Sequence, residues 1–94
     1  MSIEFSVDEA RAVLSSLRAL APDALVVPLS QGDLRAILEA GVEVKSVEDG
    51  LIDFPCHIDG VPAYWCWRVG EPDIEWWHPR ETGFSGRKPI ARGG

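Results

Sequence analysis

Asp53, Cys66, Glu71 and His78 are the residues of this chain with the most chemistry to offer. They fall in or beside a run, Gly50 to His78, that also holds all four Trp, both Cys and both His. Carboxylate, thiolate and imidazole groups are the ordinary ligands of zinc and other transition metals. Their spacing here matches no known metal motif. The same residues admit a second chemistry: Cys66 as nucleophile, His78 as its base and Asp53 as the group that orients the base. A plainer reading makes Cys66 a small buried hydrophobe, as free Cys often is, with Asp53 capping a turn or pairing with Arg68. Glu71, with His78 and Arg87, forms a candidate site for a small anionic or polar ligand. Its plainer alternative is a salt bridge that ties the tail to the sheet. Gly86-Arg87-Lys88-Pro89 is too short for a phosphate loop and has no helix after it.

The elements that must position these residues are legible from turns and periodicity. Asp59-Gly60 is a strong hairpin signal. A two-residue turn there sets Ile58 opposite Val61 and, counting back, Asp53 opposite Cys66. One face of this hairpin then collects Ile52, Phe54, Cys56, Ile58, Val61, Ala63, Trp65, Trp67 and Val69, an apolar set that reads as core. The other face collects Asp53, His57, Tyr64, Cys66 and Arg68, with His57 exposed. Cys56 and Cys66 lie on opposite faces, so no disulfide is expected between them. The next strand, Ile74 to His78, has two registers. If a four-residue turn at Gly70–Asp73 pairs Val69 with Ile74, His78 falls beside Trp65 on the core side and Trp77 faces Cys66. If a bulge intervenes, the strand inverts and His78 joins Asp53 and Cys66.

Upstream of the sheet, Ser6-Val7-Asp8-Glu9 is a capping box. It opens a helix whose apolar stripe is Ala10, Val13, Leu14, Leu17, Leu20 and Ala21, with Arg11, Ser15 and Arg18 facing out and Pro22 ending it. A second helix spans about Ser30 to Ala40, burying Leu34, Ile37 and Leu38, with Gly41 after its end. Val42 to Val47 alternates as a half-exposed strand. From Pro79 the pattern is an irregular tail.

The whole is 94 residues with a net charge of −6, the length of one domain. Residues 1–60 carry 4 Lys+Arg against 11 Asp+Glu, and residues 61–94 carry 5 against 4. An acid excess argues against a nucleic-acid or anionic-membrane partner. There is no secretory pattern at the start and no bilayer-length apolar run, and reduced thiols suit a cytoplasmic setting.

Together these segments resemble an uncharacterised prokaryotic family known as a domain of unknown function, number 2203. The resemblance rests on Phe5-Ser6-Val7-Asp8-Glu9-Ala10, Gly41-Val42-Glu43-Val44-Lys45 and Gly50-Leu51-Ile52-Asp53-Phe54-Pro55. It continues through Cys66-Trp67-Arg68, Gly70-Glu71-Pro72, Trp77-His78 and Gly83-Phe84-Ser85-Gly86-Arg87-Lys88-Pro89-Ile90. It implies the fold boundaries and brings no activity. Members look longer between the first helix and the Gly41 segment than the roughly twenty residues here.

The expected fold is α+β: two N-terminal helices on one face of an antiparallel meander of about four strands, a single domain over 1–90 with a frayed tail at 91–94. The leading functional expectation is a small cytoplasmic, non-catalytic binding module that forms a homodimer through an exposed aromatic patch of Tyr64, Trp77 and Phe84. No cofactor is expected under it, and any small-molecule ligand stays unknown. The alternative is a metal-binding protein, with zinc as the type ion, or a small enzyme, built on Asp53, Cys66, Glu71 and His78.

Overall fold

Ser6 opens the first helix as the capping box requires. In a computed structural model that describes residues 4–90, its hydroxyl accepts from Glu9 N at 3.1 Å while Glu9 Oε1 accepts from Ser6 N at 2.9 Å. These bonds satisfy backbone donors that the first turn leaves unpaired. The helix, α1, runs Val7–Arg18, and α2, Gln31–Glu39, is capped the same way by Ser30 and Asp33. Five strands follow: β1 Glu43–Ser46, β2 Leu51–Ile58, β3 Val61–Arg68, β4 Trp76–Pro79 and β5 Lys88–Pro89. They form one antiparallel sheet in chain order, with a 3-10 turn at Phe84–Gly86 before β5. The fold is therefore α+β, with five strands where about four were expected. The expected frayed tail at 91–94 lies outside the described residues.

One buried cluster unites both helices with the sheet: Ala10, Leu14 and Leu17 from α1, Ile37 from α2, and Ile52, Phe54 and Trp67 from β2 and β3. Phe5 stands edge-on to Phe54 with ring centroids 5.6 Å apart, a contact of about 0.5–1.5 kcal/mol beyond area burial. The apolar stripe of α1 is shorter than expected. The helix ends at Arg18 and Leu20 is 63% exposed. Leu38 of α2 is exposed as well, and so is Val61 at the far end of the hairpin.

Arg11 and Arg18 do not simply face solvent. Arg11 donates to Ile74 O at 2.9 Å, and Arg18 donates to Pro72 O and Glu71 O at 2.8 and 2.7 Å. Arg18 also lies 5.0 Å over the Trp67 ring. Both arginines thus hold the loop between β3 and β4 against α1, and that loop sets the register of β4.

The β2–β3 hairpin has the register that Asp59-Gly60 implies, with Ile58 opposite Val61 and Asp53 opposite Cys66. Asp59 and Gly60 both take positive φ, 51° and 79°, as a type I′ turn demands. The β3–β4 register is the inverted one. Tyr64 lies opposite His78, Trp65 opposite Trp77 and Cys66 opposite Trp76. Ile74 explains the shift. Instead of pairing with Val69 it is fully buried, its carbonyl taken by Arg11 and its N–H by Asp73 Oδ1 at 2.7 Å. The ladder therefore begins two residues later, at Trp76.

The tail is more ordered than its Gly and Pro content suggests. Trp76 pairs with Pro89 and Trp77 with Lys88, and Ile90 N donates to Glu75 O at 2.9 Å.

Candidate metal centre

Opposite residues in an antiparallel pair share a face, so the two registers place Asp53, Cys66, Tyr64 and His78 on the same side of the sheet, away from the helices. Asp53 comes from β2, Cys66 from β3 and His78 from β4. Adjacent strands are about 4.8 Å apart, so the His78 ring crosses above β3 to reach β2. Its Nε2 lies 3.0 Å from Asp53 Oδ2. One ligand atom from each of the three residues lies within 4.8 Å of the other two. Glu71 is not part of this group.

The three side chains are buried, with 1%, 0% and 1% exposure for Asp53, Cys66 and His78. Long side chains laid on aromatic rings provide the cover. Lys45 Nζ sits 4.6 Å over the Tyr64 ring and the Arg80 guanidinium 5.2 Å from it. The Tyr64 ring lies 5.4 Å from the His78 ring, and its hydroxyl meets both Glu43 oxygens at 3.0 Å. Glu43 stands opposite Asp53 on β1. Burial pushes the Glu43 carboxyl up, but bonds from Lys45 and Tyr64 outweigh it and hold the group low.

His78 Nδ1 is 2.7 Å from Pro79 O. A carbonyl only accepts, so Nδ1 carries the hydrogen and Nε2 is the atom aimed at Asp53. One proton lies between Nε2 and Oδ2, and the pair is neutral overall whichever atom holds it. Burial raises the Asp53 carboxyl above the usual carboxylate range, against the opposing pull of His78. Asp53 Oδ1 is buried with no partner in good hydrogen-bond geometry among the described residues, and the Cys66 thiol is close enough to the carboxyl to interact with it. Such a group costs about 1–3 kcal/mol unless something occupies it.

Cys66 is raised far above an ordinary thiol, by burial first and by the Asp53 carboxylate next. A ready nucleophile needs access and a lowered value, and the Cys66 side chain is fully buried. Cys56, on the other face, is pushed up to about 11 by burial. Both cysteines are free. Native protein at pH 7 is therefore expected to react with a thiol reagent at least about 100-fold more slowly than unfolded protein, as a pKa near 11 leaves about one thiolate in ten thousand. Two fast-reacting thiols in the folded state would contradict the placement.

The remaining candidates are placed differently. Glu71 Oε1 accepts from Arg68 N at 2.7 Å and its Oε2 pairs with Arg87 Nη2 at 2.5 Å. This is the salt bridge that ties the tail to the sheet, rather than a ligand site with His78. The aromatic patch does not exist as expected. Tyr64 is buried under Lys45 and Arg80, Trp77 is inverted to the Trp65 side, and Phe84 is 40% exposed. His57 pairs with Glu4 at 2.6 Å. The sequence reading missed the Pro79 carbonyl and the Glu43 cover, and only the register of β1 and β4 reveals either.

Among the described residues no helix is long and apolar enough to cross a membrane. No curated protein and no solved structure matches the chain. One family model does, over residues 25–90, more than two thirds of the sequence and the whole of the sheet that carries the three clustered side chains. The chain belongs to the family of uncharacterised conserved proteins DUF2203.

Proposed function

We propose that this protein binds a divalent transition metal, with zinc as the best fit, through Asp53, Cys66 and the Nε2 atom of His78. The observation that carries the reading is the convergence of three buried ligand atoms within 4.8 Å, one from a carboxylate whose second oxygen has no partner in good hydrogen-bond geometry. The donor set of O, S and N suits zinc. Ligand atoms around zinc lie about 2.0–2.3 Å from the ion, so they are about 3.3–3.8 Å from one another, and a modest contraction of the cluster reaches that.

His78 supports this further. Metal-bound imidazoles commonly donate their other N–H to a backbone carbonyl, and Nδ1 already does so to Pro79 O. Charge closes too. A dication replaces the proton between Asp53 and His78 and the proton of the Cys66 thiol, leaving a neutral site. Binding at such a buried site contributes to folding, and its three protein ligands leave the fourth tetrahedral position of zinc to a water or another donor.

Cobalt titration of chelator-treated protein tests this. One ion per chain is expected, with a near-ultraviolet sulfur-to-cobalt charge-transfer band. Cys66→Ser should abolish the band, and Asp53→Asn should weaken uptake at least 10-fold. Saturation with zinc at about 1,000 times Kd should stabilise the fold by about 4 kcal/mol in urea. No uptake by the wild type, or an unchanged band in Cys66→Ser, overturns the reading.

A further inference from the structure

Arg87 carries a second unpartnered polar atom on this face. It sits between the 3-10 turn and β5, its side chain only 11% exposed. Its guanidinium lies 4.8 Å over the Trp76 ring and 4.5 Å over Phe84, and Nη2 is held by Glu71. Nε is buried with no partner among the described residues. Trp76 is the residue opposite Cys66 in the sheet, so Arg87 stacks on a ring that shares its face of the sheet with the three clustered side chains. The Arg87 charge is felt at the Cys66 sulfur, where it opposes the effect of burial.

A buried N–H needs an acceptor, and a metal-held thiolate is one. Resting on the metal reading above, we propose that Arg87 is a positioning residue for that centre: its Nε–H donates to the Cys66 sulfur when the sulfur holds a metal, and its stacking on Trp76 and Phe84 holds the guanidinium there whether or not Nη2 is paired with Glu71. The planar fork of arginine allows Nη2 to pair with Glu71 while Nε points elsewhere, which a lysine cannot reproduce. The strap from Thr82 to Ile90 is thereby tied to the occupied site.

Cobalt titration of wild type, Arg87→Met, Arg87→Lys and Glu71→Gln tests this. Losing an outer-shell donor typically weakens metal binding about 10–100-fold. Both Arg87 variants should show that loss, with the charge-transfer band moved to lower energy because the sulfur is no longer held by a donor. Glu71→Gln breaks the ion pair and keeps Nε, so its band should stay near that of the wild type. If the Arg87 variants match the wild type in affinity and band, the role of Arg87 is overturned while the metal site stands. If Glu71→Gln shifts the band as far as Arg87→Met, the effect belongs to the clamp and the Nε bond is refuted. If the wild type shows no band, the metal site is overturned and the Arg87 role with it.

Discussion

His78→Ala is expected to destabilise the metal-free protein by about 3–5 kcal/mol, measured by urea unfolding in the presence of a chelator. The figure is what removing one partner from a buried ion pair typically costs. Asp53 is 1% exposed, its Oδ1 already lacks a partner in good hydrogen-bond geometry, and His78 supplies the hydrogen bond to Oδ2. Without His78 the carboxyl is stranded. Native stability is only about 5–15 kcal/mol, and a chain of this length lies at the low end of that range, so the variant should be close to unfolding. Adding Asp53→Asn should recover part of the loss, because the uncompensated charge is gone. An additive or worse double variant would show that the two residues are not coupled, and the pair would then lose its place at the centre of the site.

Gly50→Ala is the second large effect, at about 2–5 kcal/mol. Gly50 has a φ of 66°, where a side chain costs about 1–2 kcal/mol. It is also crowded. An added Cβ would collide with Val69 Cγ2 and lie 2.8 Å from both Val69 Cβ and Val27 Cγ1. Val69 is stiff at χ1, and its N–H is bonded to Gly50 O at 3.0 Å, so it cannot move aside. Relieving such a clash costs about 1–3 kcal/mol more. Gly60 is the control, with a φ of 79° and nothing within 4 Å of its Cβ position. Gly60→Ala should cost only the backbone term. Equal losses at the two positions would refute the close approach. Because Gly50 leads directly into β2, the strand that carries Asp53, disorder there should also weaken metal uptake.

Local chemistry is where the sequence is most readable. The Ser6 and Ser30 ends of the helices, the Asp59-Gly60 turn and the whole β2–β3 pairing follow from residue type and a period of two, because each depends on neighbours a few positions away. Asp53 opposite Cys66 is therefore a consequence of the sequence alone. The same holds for the separation of Cys56 from Cys66 onto opposite faces.

His78 is the contrary case. Its side of the sheet depends on a loop whose length counts out one register while its contacts impose the other. Ile74 gains more by entering the core than by pairing with Val69, and Arg11, 63 residues away, takes its carbonyl. That single slip inverts β4. It turns Trp77 to the Trp65 side and brings His78 over β3 to Asp53. Arg87 arrives by an equally distant route, through a strand of two residues and an ion pair to Glu71. Two of the three candidate ligands are thus written in a hairpin, where a turn carries all the information. The third, and the arginine beside it, are placed by long-range burial and side-chain bonds to backbone, which no local pattern encodes.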